Sequence, residues 1–234
     1  MKLPIPTQLA GDYPTLPHPN VAAFATRAIT HLPKFLDSPL KGPSVRAFDS
    51  AVEWLEKNSE TGRPLILDSG CGTGLSTRNL ARAYPDAAVI GVDRSASRLG
   101  KSRTFELPDN ALLVQSELAC FWRLMLQAEA SSDDHLLTAS NVRKHYVLYP
   151  NPYPKPTRLN LRWHGHPALP ALLAIGDEIE LRSNWRTYLE EFGIAASLLA
   201  SHAADDTPLS EWAIPGVWSS HATQRAHSHS NPYE

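Results

Sequence analysis

A hydrophobic run that ends in an acid and three alternating glycines constrains this chain more than any other feature. Leu65-Ile66-Leu67-Asp68 leads into Ser69-Gly70-Cys71-Gly72-Thr73-Gly74; after a helical stretch, a second apolar run, Val89-Ile90-Gly91-Val92, ends in Asp93. Alternating glycines give the backbone left-handed freedom and let it approach a ligand closely. Strand, tight turn, helix and second strand make a βαβ unit. Its strands are parallel, so Asp68 and Asp93 end on the same sheet edge, where open α/β sheets bind nucleoside ligands.

The rest of the chain repeats the alternation. Periodicity predicts a helix from Ser44 to Lys57, with Ser44 as its N-cap, on the spacing of Val45, Phe48, Val52 and Leu55. Strands are expected at Leu65–Asp68, Ala88–Asp93, Ala111–Gln115, His145–Tyr149 and Glu178–Arg182. Helices are expected at Leu75–Tyr84, Ala119–Ala130, Leu169–Ile175 and Trp185–Ala200. Strands alternating with helices in this way imply an α/β fold, a mainly parallel sheet with helices on both faces. Residues 1–43 read as a proline-rich arm with one short helix near Ala22–His31, and residues 44–234 as the folded domain. The tail carries His221, His227 and His229 without metal-ligand spacing.

The glycine spacing selects the ligand. A dinucleotide turn reads G-x-G-x-x-G, because a pyrophosphate must sit on the helix N-terminus. Here Gly70, Gly72 and Gly74 read G-x-G-x-G, and Asp68 precedes them. An acid there repels phosphate and suits an ammonium group. Asp93, with Arg94 beside it, suits a ribose diol, since a carboxylate accepts from both hydroxyls. Glu117, after the third strand, suits a contact near an adenine amine or, equally, the start of a helix. A ligand with a ribose, an amino acid and no phosphate is S-adenosyl-L-methionine.

Bulk properties limit the partners. The 234 residues carry a formal net charge of −2, with a pI near 6.5, so any polyanion must be held by a local patch. Two cysteines, Cys71 and Cys120, give no disulfide framework. The first residues lack a secretory pattern, and no run of about 18 apolar residues suggests a membrane span. A cytoplasmic protein without metal or membrane association is expected.

After the fourth strand comes Tyr149-Pro150-Asn151-Pro152-Tyr153-Pro154-Lys155, a stiff loop at the sheet's carboxyl edge. Arg158, Arg162, His164 and His166 follow, and with Lys155 they read as a basic strip able to meet phosphates. With D-S-G-C-G-T-G, G-V-D and Leu181-Arg182-Ser183-Asn184-Trp185-Arg186-Thr187-Tyr188, this order resembles the TrmB-type tRNA (guanine-N7)-methyltransferases over Leu65 to Phe192. The resemblance implies a Rossmann-like class I methyltransferase with a seven-stranded sheet, a tRNA substrate, and a monomer or homodimer. By position it implies Asn151, Tyr153 and Asn184 at the catalytic centre, RNA contacts from Lys155, Arg158 and Arg162, and Tyr188 beside the base.

Two departures stand out. The family's loop usually reads F-P-D-P-W-P-K and its later motif T-D-W, so Asn151 and Asn184 replace acids. Its C-terminal T-x-F-E-x-[RK] element has only a faint echo in Ser219–Arg225. A carboxylate accepts from guanine N1–H and the 2-amino group together, whereas an amide offers one acceptor and two donors. Other roles are open to these residues. Asn151 suits an Asx turn before proline, Asn184 a helix N-cap, and Trp185 and Tyr188 core positions. Two other functions are also open: methyl transfer to another nucleobase nitrogen or a small molecule, and a non-catalytic cofactor-binding module that supports a partner.

Overall fold

The structure is a computed structural model that describes residues 15–58, 63–104, 106–131 and 135–203. Five strands form one parallel sheet: β1 (Leu65–Ser69), β2 (Ala88–Asp93), β3 (Ala111–Gln115), β4 (Val142–Leu148) and β5 (Glu178–Arg182), in the order β3-β2-β1-β4-β5. The chain winds outward from β1 through β2 to β3, then returns to β4 on the other side of β1. The strand order therefore reverses between β1 and β4, and the crevice outside their carboxyl ends is the switch point at which such sheets take ligands. The seven strands implied by the resemblance are corrected to five among the described residues. β5 leads directly into a long helix that ends at residue 203, and the tail with its three histidines and Ser219–Arg225 lies outside those residues.

β1 and β2 are buried along their whole length, as expected for strands covered on both faces. Leu65 and Leu67 join Ile90 and Val92 on one face, and Ile66 joins Val89 and Tyr146 on the other. Full burial of a side chain such as Leu67 or Ile90 contributes roughly 1.5–3 kcal/mol. Helices α3 (Gly42–Asn58), α6 (Leu118–Ala130), α7 (Leu169–Leu173) and α8 (Arg186–Ala203) feed the larger core, and α4 (Leu75–Ala83) covers the other face. The short α5 (Ala96–Leu99) follows β2.

Before α3 the chain is more ordered than the proline content predicts. Helices α1 (Val21–Thr30) and α2 (Leu32–Asp37) bury Val21, Ala25, Ala28 and Leu32. Pro33 lies in the first turn of α2, where a missing N–H costs no helical bond. α3 starts two residues before Ser44. Ser44 is buried, and its Oγ accepts from the Glu117 backbone N–H at 3.4 Å instead of capping the helix. Residues 1–14 of the proline-rich arm lie outside the described residues.

Candidate active site

The turn after β1 has the left-handed geometry its glycines allow: φ is 82° at Gly70, 60° at Gly72 and 82° at Gly74. Val92 O accepts from Gly70 N (2.8 Å) and Cys71 N (3.2 Å), which pins the turn to β2. A Cβ on Gly72 would meet nothing within 4 Å, so the space over the turn is open. A Cβ on Gly74 would lie 2.6 Å from Leu113 Cδ1, so a side chain there would also displace Leu113.

Asp68 is buried at the end of β1. Its Oδ2 accepts from Ser76 Oγ (2.6 Å) and Thr77 Oγ1 (2.7 Å) in the first turn of α4, and its Oδ1 has no partner. Burial pushes its pKa up to about 6, against the hydroxyl hydrogen bonds, with a smaller upward contribution from the charge of Asp93. Asp93 Oδ2 accepts from Gly72 N (3.0 Å) and Oδ1 from Ser95 N (2.8 Å). Each Asp93 oxygen keeps a lone pair for a further donor. Arg94 is exposed beside it. Glu117 caps α6, with Oε1 accepting from Ala119 N (3.1 Å) and Oε2 from Cys120 N (2.9 Å). Beneath the turn, the Ser69 hydroxyl accepts from Trp122 Nε1 (3.0 Å) and lies 2.8 Å from His145 Nε2. Burial holds the pKa of His145 down to about 4, so it is neutral there at neutral pH.

These groups fit S-adenosylmethionine. Asp68 Oδ1 is a buried acceptor without a hydrogen-bond partner, Asp93 retains acceptor capacity for a diol, and the position over Gly72 is open. Among the described residues no group of His, Cys, Asp and Glu could hold a metal ion, and no helix is long and apolar enough to cross a membrane.

Across the switch point, the proline loop leaves β4. Tyr149 N donates to Arg182 O at the end of β5 (2.9 Å). Tyr149 (φ 51°) and Tyr153 (φ 43°) are both left-handed, and each precedes a proline. A bulky residue in that region costs about 1–3 kcal/mol, and a following proline favours extended geometry instead. Asn151 is exposed, and its Oδ1 accepts from Tyr153 N (3.1 Å), an Asx turn. Lys155 and Arg158 are exposed and form no ion pair among the described residues.

Several expected site residues fall elsewhere. Arg162 is only 1% exposed and is not part of a basic strip. Its guanidinium pairs with Glu191 and donates to the carbonyls of Tyr153 and Pro154. Tyr188, also expected at the substrate, is fully buried on the core face of α8, and its hydroxyl accepts from Trp163 N (3.3 Å). His164 is buried with Nε2 2.9 Å from Glu191 Oε2; burial lowers its pKa against the pull of Glu191, so it adds no charge to the surface at neutral pH. Asn184 is exposed, and Ser183 Oγ, not Asn184, accepts from Trp185 N (3.1 Å) ahead of α8.

Glu191, Ser76 and Thr77 were not singled out in the sequence. For Glu191 a signal existed: Tyr188, Glu191, Phe192, Ala195 and Leu199 share one helical face, and a carboxylate on an apolar face needs a buried cation.

Residues 66–130 match the family described as "Methyltransferase domain". With the fold and the glycine turn, this defines a class I methyltransferase fold whose cofactor is S-adenosylmethionine. The chain is 34% identical over 103 residues to the trans-aconitate 2-methyltransferase of Escherichia coli O1:K1 / APEC, covering 43% of this chain and 38% of that protein. It is 35% identical over 94 residues to the tRNA (guanine-N(7)-)-methyltransferase of Rubrobacter xylanophilus, covering 40% of this chain and 38% of that protein. The chain spans less than half the length of the curated relatives it matches. A 16S rRNA (adenine(1408)-N(1))-methyltransferase structure from Catenulisporales acidiphilia aligns over 55% of this chain and 60% of that one, at 19% identity and a TM-score of 0.37.

Proposed function

We propose that this protein is an S-adenosylmethionine-dependent methyltransferase acting on RNA, with guanine N7 of tRNA as the acceptor. The observation that carries this reading is the placement of the Asn151 loop: it leaves β4 beside the glycine turn, and Lys155 and Arg158 stand exposed at its far end. When bound, S-adenosylmethionine supplies an electrophilic methyl group on a sulfonium. Asp68 Oδ1 would take the ammonium and Asp93 the ribose hydroxyls, with Arg94 at the rim and Glu117 at the start of α6 toward the adenine.

Guanine N7 presents a lone pair and carries no proton, so the acceptor half needs no general base. It needs orientation. The loop supplies this through Asn151, Tyr153 and their prolines, with Asn184 exposed after β5. Asn151 Oδ1 is engaged by Tyr153 N, which leaves the amide –NH2 as the group it offers. Guanine O6, beside N7 on the same base edge, is an acceptor that such a donor suits and a carboxylate would repel. The amide is thus compatible with guanine bound by its N7/O6 edge. Lys155 and Arg158 would meet backbone phosphates, as a protein of near-neutral net charge must do locally.

Incubation of the full chain with methyl-labelled cofactor and total tRNA, followed by nucleoside analysis, tests the proposal. Label in 7-methylguanosine is the expected result. Absence of labelled 7-methylguanosine, with cofactor binding intact, overturns the acceptor. A second reading, transfer to a small carboxylate, is supported by the likeness to trans-aconitate 2-methyltransferases. Trans-aconitate in the same assay discriminates the two.

A further inference from the structure

We propose that Arg162 and Glu191 are positioning residues that hold the acceptor loop in its left-handed form, and that the backbone of His18 is clamped into the same support. The proposal rests on reading residues 149–154 as the acceptor loop.

The loop has two left-handed tyrosines, each before a proline, so its own chemistry favours another shape. Tyr149 is tied by its N–H to β5. The local hydrogen bond from Tyr153 N to Asn151 Oδ1 lies on an exposed loop and returns less than the strain costs. A further restraint comes from Arg162. Arg162 Nε and Nη2 donate to Tyr153 O at 3.2 and 3.1 Å, and Nη2 also reaches Pro154 O at 3.4 Å. These carbonyls belong to the strained turn itself, and the guanidinium's rigid fork fixes the direction in which they point.

The guanidinium is fixed in turn by Glu191, to which its Nη1 donates; both side chains are fully buried. Glu191 acts as a hub. Its Oε2 takes Arg162 and lies 2.9 Å from His164 Nε2, and its Oε1 accepts from His18 N at 2.8 Å. His18 O accepts from Val21 N at the start of α1. One carboxylate therefore ties the entry to α1, the body of α8 and, through Arg162, the acceptor loop. A core ion pair that served only stability could aim its spare donors at any buried carbonyl. Here the guanidinium of Arg162 joins Glu191 to the carbonyls of the strained turn.

Hydrogen–deuterium exchange with mass spectrometry on the full chain tests this without a substrate. Glu191→Gln keeps volume and removes the charge; Arg162→Lys keeps the charge and removes the fork. In both, peptides covering residues 149–155 are expected to exchange at least about tenfold faster, while amides of β1 and β2 keep their protection. His18→Pro, which deletes the N–H held by Glu191 together with the Nδ1 acceptor for Asn20 N and fixes φ, is expected to raise loop exchange less, and serves if Glu191→Gln does not fold. Cofactor affinity is expected to stay within about twofold and kcat for methyl transfer to fall at least about tenfold. Unchanged loop exchange in folded variants, or equal acceleration across the whole sheet, overturns the proposal. If the wild type labels no tRNA, the acceptor assignment fails, and the exchange pattern still decides whether Arg162 and Glu191 position the loop.

Discussion

Thr77 Oγ1 occupies the space beside Gly91 that a side chain would need: a Cβ on Gly91 would lie 2.1 Å from it. The same hydroxyl donates to Asp68 Oδ2 at 2.7 Å. Gly91 in β2 therefore lets α4 come close enough to hold the acid at the end of β1. Gly91→Ala is expected to push Thr77 away, leave Asp68 held by Ser76 alone and lower S-adenosylmethionine affinity about tenfold. Overpacking at the helix–strand contact adds a loss of about 1–3 kcal/mol in stability. Titration calorimetry and thermal melts of the purified variant check both figures.

Asp68 predicts opposite signs for stability and binding. Its folded pKa of about 6 lies above the ordinary value of 3.8, so in the ligand-free protein the folded state holds the proton more tightly than the unfolded state. Stability from this group is greatest below pH 3.8, falls as pH rises through the window to about 6, and is flat above it. The full difference corresponds to about 3 kcal/mol. Asp68→Asn is therefore expected to raise the melting temperature of the ligand-free protein at pH 8. The cofactor's ammonium needs the ionised carboxylate, so wild-type affinity should fall about tenfold per pH unit below about pH 6. In the variant, affinity is expected to be weaker and independent of pH. Isothermal titration from pH 5 to 8 reads this.

What the chain reveals before folding differs between the two halves of the site. The cofactor half is local: an apolar run, alternating glycines and an acid lie within ten residues or so, and buried parallel strands impose the same pattern wherever they occur. The acceptor half depends on distant partners. Arg162 follows Lys155 and Arg158 closely enough to read as one strip, yet its partner Glu191 lies 29 residues further on. Tyr149 and Tyr153 precede prolines and so read as extended; their left-handed geometry is enforced by β5 and Arg162, neither of which the loop's own sequence announces. The count of seven strands came from resemblance alone, whereas the five alternating segments that the residues themselves mark each overlap one of the five strands observed, with β4 starting at Val142 instead of His145.

Asn151 separates turn formation from recognition. Asn151→Asp retains an acceptor for Tyr153 N, so stability should change by under about 0.5 kcal/mol. It loses the –NH2 donor and gains a charge facing guanine O6. Transfer to tRNA is then expected to fall about tenfold, equivalent to ~1.4 kcal/mol. Asn151→Ala loses the turn bond as well and should fall further. Initial rates with labelled cofactor and tRNA, beside thermal melts, separate the two effects. A higher rate in Asn151→Asp would show that the base is read through its N1–H and 2-amino donors instead.

Lys155 and Arg158 are the exposed part of the expected basic strip, since Arg162 and His164 are interior and His166 is half-buried. Each phosphate neutralised contributes about 0.7–0.9 to the slope of log affinity against log salt. Lys155→Ala with Arg158→Ala should therefore weaken tRNA binding and reduce that slope by about 1.4–1.8. Cofactor affinity should stay constant, because both residues lie at the far end of the loop from the glycine turn. Arg162→Ala makes the contrast: its guanidinium never reaches solvent, so it should change stability and loop order and leave the salt slope as it was. Filter binding from about 50 to 200 mM salt distinguishes these outcomes. An unchanged slope in the double variant would place the RNA on another face of the protein.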